Sequence, residues 1–393
     1  MTGGRERARA FDYILVGGGL QSGLIALAVL ADRPSARIAV IERASQLGGN
    51  HTWCFHEDDV PEAIEPALRP LVVASWGGYE VRFPGHHRSV GIPYAAVTSE
   101  RFREVIADRI ARAPRSAVFL QCAARAVSAD RVTLDSGETL TGRLVVDARG
   151  PASGSDRAAS GFQVFTGLEL ALATPHHLSR PVLMDARVPQ DEGFRFFYAL
   201  PLSPDRILLE DTYFADEPDL DGDLVRGRVL ARAAELGFEV KAIAREERGV
   251  LPMPWANHLP RPPGSGEPLA AGYRGGWFHP ATGYSFPVAA RLAAFVAARS
   301  PERARREIAA LARKHGRGAR FAQGLNRLAF GFFAPSRRYH VFERFYRLPE
   351  ATIRRFYSLE LTARDKVRIL GGRPPRGFSV RRPLARTKAE RGA

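Results

Sequence analysis

An α/β fold with an inserted antiparallel β-rich domain and a helical C-terminal region is predicted for this 393-residue chain. Three observations predict it. Residues 11–42 run strand, glycine turn, helix, second strand and terminal glutamate. Residues 193–214 read as a β-hairpin turned at Ser203, Pro204 and Asp205. Residues 299–370 read as helical and rich in Arg, Phe and Tyr.

The first element is the most informative. Residues 13–16 form a short apolar strand, Gly17 allows a tight turn, and Gly19 lets the backbone approach a pyrophosphate at the following helix N-terminus. Ser22 supplies the third small residue for helix–strand packing, with Gly23 directly after it. Glu42 ends the second strand, placed to accept hydrogen bonds from a ribose 2′-hydroxyl. The unit is a Rossmann-type dinucleotide site. The acid argues against a 2′-phosphate, so FAD or NAD is expected rather than NADP.

The polar loop LGGNHTWCFHEDD follows, and Gly49, Asn50 and His51 in it are expected to touch the cofactor. A helix is predicted over 99–113, capped by Ser99, with Phe102, Val105, Ile106 and Ile110 at helical spacing. Residues 131–150 read as a hairpin turned at 135–137, and its last strand carries Asp147, Arg149 and Gly150 back towards the cofactor. A helix is expected over 220–236. Residues 269–298 give a strand end, a loop holding His279, Thr282, Gly283 and Tyr284, and an apolar helix with Pro287 near its first turn. The expected divisions are a flexible basic N-terminus (1–10), a discontinuous FAD-binding domain (11–159 and 247–298), a β-rich substrate domain (160–246), the helical region (299–370) and a loose basic tail (371–393).

Composition narrows the partners. The formal net charge is +15, with eight Arg/Lys against two Glu over 299–320 and seven against one over 371–393. No zinc-type cysteine spacing or RNA-binding aromatic signature accompanies these blocks, so lipid headgroups or solvent are expected and nucleic acid is not. The two cysteines, Cys54 and Cys122, suggest neither a disulfide framework nor a metal site. No signal peptide is expected, and no apolar run reaches the ~18–20 residues that span a bilayer.

Three glycine-rich loops, after strands near 16, 146 and 271, are spaced as in two-domain flavoproteins. Gly272–Tyr273 stands where many of these carry Gly-Asp, which leaves the ribityl contact unassigned. With GGGLQSG (17–23), GGNHTW (48–53), DARG (147–150), FQVFTG (162–167), MDA (184–186), FRFFYALPLS (194–203), LLEDTYF (208–214), ERGVLPM (247–253), FHPATGYSFPVAARLA (278–293) and the aromatic-basic run 336–375, the chain resembles the bacterial lycopene cyclases of carotenoid biosynthesis. The stretches occur in order over roughly 11–375.

The resemblance implies an isomerase that needs reduced FAD, with NAD(P)H as electron source, yet performs no net oxidation. The terminal alkene of lycopene or a related linear carotenoid is protonated, the tertiary cation closes a six-membered ring, and a ring proton is lost. Glu210 matches the acid of the family, and Leu208, Thr212 and Phe214 around it should raise its pKa. Asp211, also a candidate for lining the active site, projects to the opposite face of the same strand, so only one of the two can point into the cavity. The flavin or Glu210 delivers the proton. Phe194, Phe196 and Tyr198 share one strand face and line a polyene tunnel or pack a core. His279 contacts flavin or holds a turn, Trp53 lines the isoalloxazine or is core, and Arg149 binds a phosphate, an acid or solvent. The aromatics of 321–357 either meet a membrane surface or lie buried in a helical subdomain. A bacterial cytoplasmic location on the inner membrane face, with other carotenoid-pathway enzymes as partners, goes with this reading. The alternative is an FAD-dependent monooxygenase or oxidoreductase acting on a hydrophobic substrate.

Overall fold

A computed structural model describes residues 9–150, 159–191, 193–219 and 221–379. The N-terminal segment up to residue 8 and the tail from 380 lie outside the described residues. Two seven-stranded sheets and one three-stranded sheet organise the described residues.

The first sheet runs Ala117–Phe119, Ile38–Ile41, Arg9–Val16, Thr139–Asp147, Arg131–Leu134 and Ala124–Val127, with Leu269–Ala270 added beside the end of Thr139–Asp147. Its first four strands are parallel. The two central ones are buried at residues 13–16 and Ile38–Ile41, because helices cover the sheet there. The helix Leu20–Asp32 is buried from Leu20 to Leu30 and packs on the helix Phe286–Ala297. The helix Ser99–Ala111 also packs on it, turning Phe102, Ile106 and Ile110 inward. Thr98, not Ser99, caps that helix, accepting a hydrogen bond from the Arg101 N–H at 3.3 Å. Ser99 is already the first helical residue. A hydroxyl in β conformation satisfies a free N–H only from the position before the helix.

The second sheet runs Val240–Pro254, Ser160–Leu172, Arg206–Ala215, Phe194–Ser203, Val182–Asp185, Tyr79–Phe83 and His86–Val90. The expected hairpin is there, pairing Phe194 with Phe214 through Tyr198 with Glu210. The expected boundaries at 160 and 246 do not follow this sheet. Its far edge comes from 79–90, joined through a parallel pairing with Val182–Asp185, and its near edge strand runs on to Pro254. Tyr79, Val81 and Phe83 alternate inward on a five-residue strand, too short a period to announce which sheet it joins.

The C-terminal region is helical, as predicted: Pro301–Phe332, Tyr339–Phe345, Glu350–Tyr357 and Ala363–Leu370. All ten aromatics of 321–357 are buried or half-buried. The exposed large apolar side chains are instead Leu328, Val367, Leu370 and Phe378. The start of the tail is packed rather than loose: Phe378 stacks on Phe332 at 5.5 Å, and the Ser379 N–H donates to the Phe332 carbonyl. Among the described residues no helix is long and apolar enough to cross a membrane, and no His/Cys/Asp/Glu group is arranged to hold a metal.

Candidate active site

The glycine turn lies where the sequence puts it. Gly17 has φ +98° and lies so close to the neighbouring strand end that a Cβ would stand 2.6 Å from the Ala148 carbonyl oxygen. Gly19 begins the helix Leu20–Asp32 with no side-chain cap, no acid in the first turn, and open space where its Cβ would be. This is an uncapped helix N-terminus facing a cradle, the arrangement a pyrophosphate needs. Glu42 accepts the Gly18 N–H at 2.6 Å and the Ala44 N–H at 2.8 Å, and each oxygen retains a lone pair. Ser22 is buried, but the close contact belongs to Gly23, whose Cβ would meet Phe102 at 2.2 Å. The packing is therefore helix on helix rather than helix on strand.

Arg149 resolves to an acid. It forks onto Asp147 at 2.8 and 2.9 Å, and Arg274 approaches the same carboxylate at 3.5 Å. Gly150 has φ +79° and open space beside it. Tyr273 stacks on Phe278 at 4.3 Å and donates to the Gly283 carbonyl at 3.0 Å. His279 is fully buried with both ring nitrogens used by backbone: Nδ1 accepts the Ala281 N–H at 3.2 Å and Nε2 donates to the Phe356 carbonyl at 3.0 Å. It holds a turn, and burial pushes its pKa down to about 3. Thr282 accepts the Tyr284 N–H at 3.3 Å, and Gly283 has φ +65° and abuts Leu251. The Tyr284 hydroxyl accepts the His56 N–H at 2.5 Å.

The second sheet supplies a buried carboxyl. Four strands bring Glu247, Gly167, Glu210 and Tyr198 into one row on one face. Glu210 is buried, with Thr212 donating to it at 2.6 Å. Burial first, and the Glu247 charge second, raise its pKa. Phe194 and Phe196 continue that face towards Phe214, and Phe342 from the helical region stacks on Phe194 at 4.5 Å. Asp211 points the other way: it pairs with Arg195 at 2.8 Å and accepts from Tyr213 at 2.8 Å. It therefore does not line this face, because successive strand residues alternate sides.

Sequence reasoning missed Glu247, although it opens the ERGVLPM stretch. Glu246 beside it is its equal in sequence, and only register separates the two. Glu246 pairs with Arg226 and Arg248, on the face away from Glu210. Glu247 accepts from Arg245 at 2.5 Å and from Thr52 at 3.1 Å. Arg245 also donates to Asn50, and Asn50 to the Glu246 carbonyl. The GGNHTW segment thus ties the first domain's loop to the carboxyl strand, with the exposed His51 5.8 Å from the half-buried Trp53. Trp53 packs on Phe102 at 5.1 Å. Also missed was a cluster of Tyr79, Tyr94, Tyr284 and Tyr357 around the buried His56, drawn from four distant segments with no shared sequence signal.

A cavity of about 310 Å³ opens on the aromatic face at Phe214 and runs among Phe330, Phe342, Phe345 and Phe356 to Leu328, Leu370 and Phe378. From Phe214 to Glu210 is four residues of strand, about 13 Å.

Comparison with known proteins bears on what this arrangement serves. The chain matches the lycopene cyclase protein family over residues 12–382. It is 41% identical to a lycopene beta-cyclase of Pantoea ananas over 369 residues, 93% of this chain and 95% of that one. It is 37% identical to a lycopene beta-cyclase of Paracoccus sp. over 396 residues, 96% and 99% of the two chains. In fold it is similar to a probable FAD-dependent monooxygenase from Pseudomonas aeruginosa, with a TM-score of 0.54 at 20% identity over 81% of this chain and 97% of that one. This chain belongs to the lycopene cyclase family.

Proposed function

We propose that the chain closes β-ionone rings at the ends of lycopene, giving γ-carotene and then β-carotene. Relatives over nearly its whole length are lycopene beta-cyclases. The observation that carries the mechanism is the buried Glu210 carboxyl at the head of an aromatic face, where burial raises its pKa and favours the protonated form. Glu210 gives its proton to the terminal trisubstituted alkene. The π electrons of the neighbouring alkene close the six-membered ring onto the tertiary cation. A ring C–H then returns a proton to the Glu210 carboxylate, so substrate and product are isomers. Tyr198, Phe196 and Phe194 turn aromatic faces towards the path of the cation and exclude water.

The residues fit an adenine dinucleotide. Gly17 and Gly19 would take its pyrophosphate at the free helix N-terminus, Glu42 its ribose, and the loops at Gly49–Asn50–His51, Gly150 and Thr282–Gly283 its remaining parts. FAD, reduced by NAD(P)H, supplies negative charge that favours a cation nearby without net redox change.

Lycopene is a hydrocarbon, so it is drawn from a bilayer. The cavity mouth supports this, with Leu328, Leu370 and Phe378 exposed beside Arg344 and Arg368. The chain works in a bacterial cell on the inner face of the cytoplasmic membrane.

The test is anaerobic incubation of the purified chain with reduced FAD and lycopene in lipid vesicles. A cyclic product of unchanged mass is expected. A product heavier by oxygen would place the chain among monooxygenases instead.

A further inference from the structure

We propose that Glu247 is a positioning residue of the reaction: as the charged half of a carboxyl pair meeting over Gly167, it holds the reacting proton on Glu210. The proposal rests on reading Glu210 as the acid.

The register makes the pair. Gly167 sits opposite Glu210 on one side and Glu247 on the other. Having no side chain, it leaves the room in which they converge. A Cβ there would lie 3.1 Å from Glu247 Cγ and 3.3 Å from Glu210 Oε2. Both side chains thus reach the same buried space, and two like charges that close cannot both ionise, so one of them carries the proton. Donors decide which. Among the described residues Glu247 has the Arg245 guanidinium and the Thr52 hydroxyl as donors, whereas Glu210 has the Thr212 hydroxyl. The negative charge belongs on Glu247 and the proton on Glu210.

The surrounding charges agree. Arg206 and Arg245 both pair with the buried Glu169, and Arg245 also pairs with Glu247. Two cations thus balance two anions, and the set is neutral only while Glu210 is protonated. The other titratable groups near the pair are Cys54 by both carboxyls, Tyr198 by Glu210, Asp211 behind Glu210 on the opposite face of the strand, His51 by Glu247, and the exposed Glu100 at 4.0 Å from Arg245. None of them brings a positive charge to Glu210 itself.

Such a partner has opposed effects on catalysis. It makes Glu210 a weaker acid, but once the proton has moved, two carboxylates face one carbocation in a dry site. The second carboxylate also makes Glu210 a stronger base for the final ring proton.

The test uses the full chain with reduced FAD and lycopene vesicles, measuring initial rate against pH and the infrared C=O band of the protonated carboxyl that Glu210→Gln abolishes. With Glu247→Gln, the band's titration and the alkaline limb of the rate should both move to lower pH by a unit or more. The rate at neutral pH should fall about twofold for a shift of one unit and about tenfold for two, and recover in acid, and Glu247→Asp should restore most of it. Gly167→Ala, which presses on both carboxyl side chains and on Leu208, should move both readouts the same way by less. A uniform loss of rate with the limb and band unmoved in both variants would overturn the proposal. A wild-type rate in Glu210→Gln would instead overturn the assignment of Glu210, and the band shift would still report whether the pair exists.

Discussion

Replacing Glu210 by Gln keeps the shape of the side chain and removes its titration. Burial and the Glu247 charge push this carboxyl up to about 8 from an ordinary 4.5. Across that window the folded chain keeps a proton that the unfolded chain has released. Native stability therefore falls as pH rises through it, by about 1.4 kcal/mol per pH unit. Between pH 5 and pH 7 the wild-type chain should lose about 3 kcal/mol through this residue alone, and Glu210→Gln should lose none of it. Denaturant titrations of both proteins at several pH values, at fixed ionic strength, check this. The variant should gain on the wild type by about that amount over the two units, while its cyclisation rate drops by about a hundredfold or more. Stability curves that stay parallel from pH 5 to 7 would refute the reasoning, because they would mean that Glu210 is already ionised in the fold.

Gly23→Ala sets a helix-propensity gain of about 1 kcal/mol against a Cβ 2.2 Å from Phe102. Overpacking at about 1–3 kcal/mol should win, lowering the urea midpoint. His279→Ala leaves the Ala281 N–H and the Phe356 carbonyl without their partner, a loss of about 2–5 kcal/mol. Because burial lowers the His279 pKa to about 3, the unfolded chain takes up a proton below about 6.5 that the folded one refuses. The wild type should therefore lose stability as pH falls from there, and the variant should show a flatter acid limb by tryptophan fluorescence. Asp365 is fully buried and accepts from Arg355, Thr352 and Thr362, with its pKa held below the usual carboxylate range by Arg355 first. Its stabilisation is present above about 3.8 and is lost as pH falls below. Asp365→Asn should cost about 1–3 kcal/mol and speed hydrogen exchange across 350–370.

Local chemistry made much of this chain legible. A strand, a glycine turn and a helix in succession need no distant partner, so the turn at Gly17 and the helix start at Gly19 could be read from residues 11–42. The hairpin at 194–215 was legible for the same reason: its turn residues and its alternation are adjacent in sequence. Alternation also separates Glu210 from Asp211, and the structure puts them on opposite faces.

What no window of sequence contains is pairing between segments far apart. Glu247 becomes the neighbour of Glu210 only because Val240–Pro254 and Arg206–Ala215 flank Ser160–Leu172 in a particular register. A slip of one residue would have presented Glu246 instead. The same holds for 79–90 joining the second sheet, and for the aromatics of 321–357 turning inward rather than to solvent. His279 had two open roles until the helix Glu350–Tyr357 brought it the Phe356 carbonyl. The amino-acid order by itself determined the elements and the residue types each one carries. Tertiary packing decided which of those side chains meet, because burial, and with it the protonation of a carboxyl, is set by neighbours that the chain brings back from a distance.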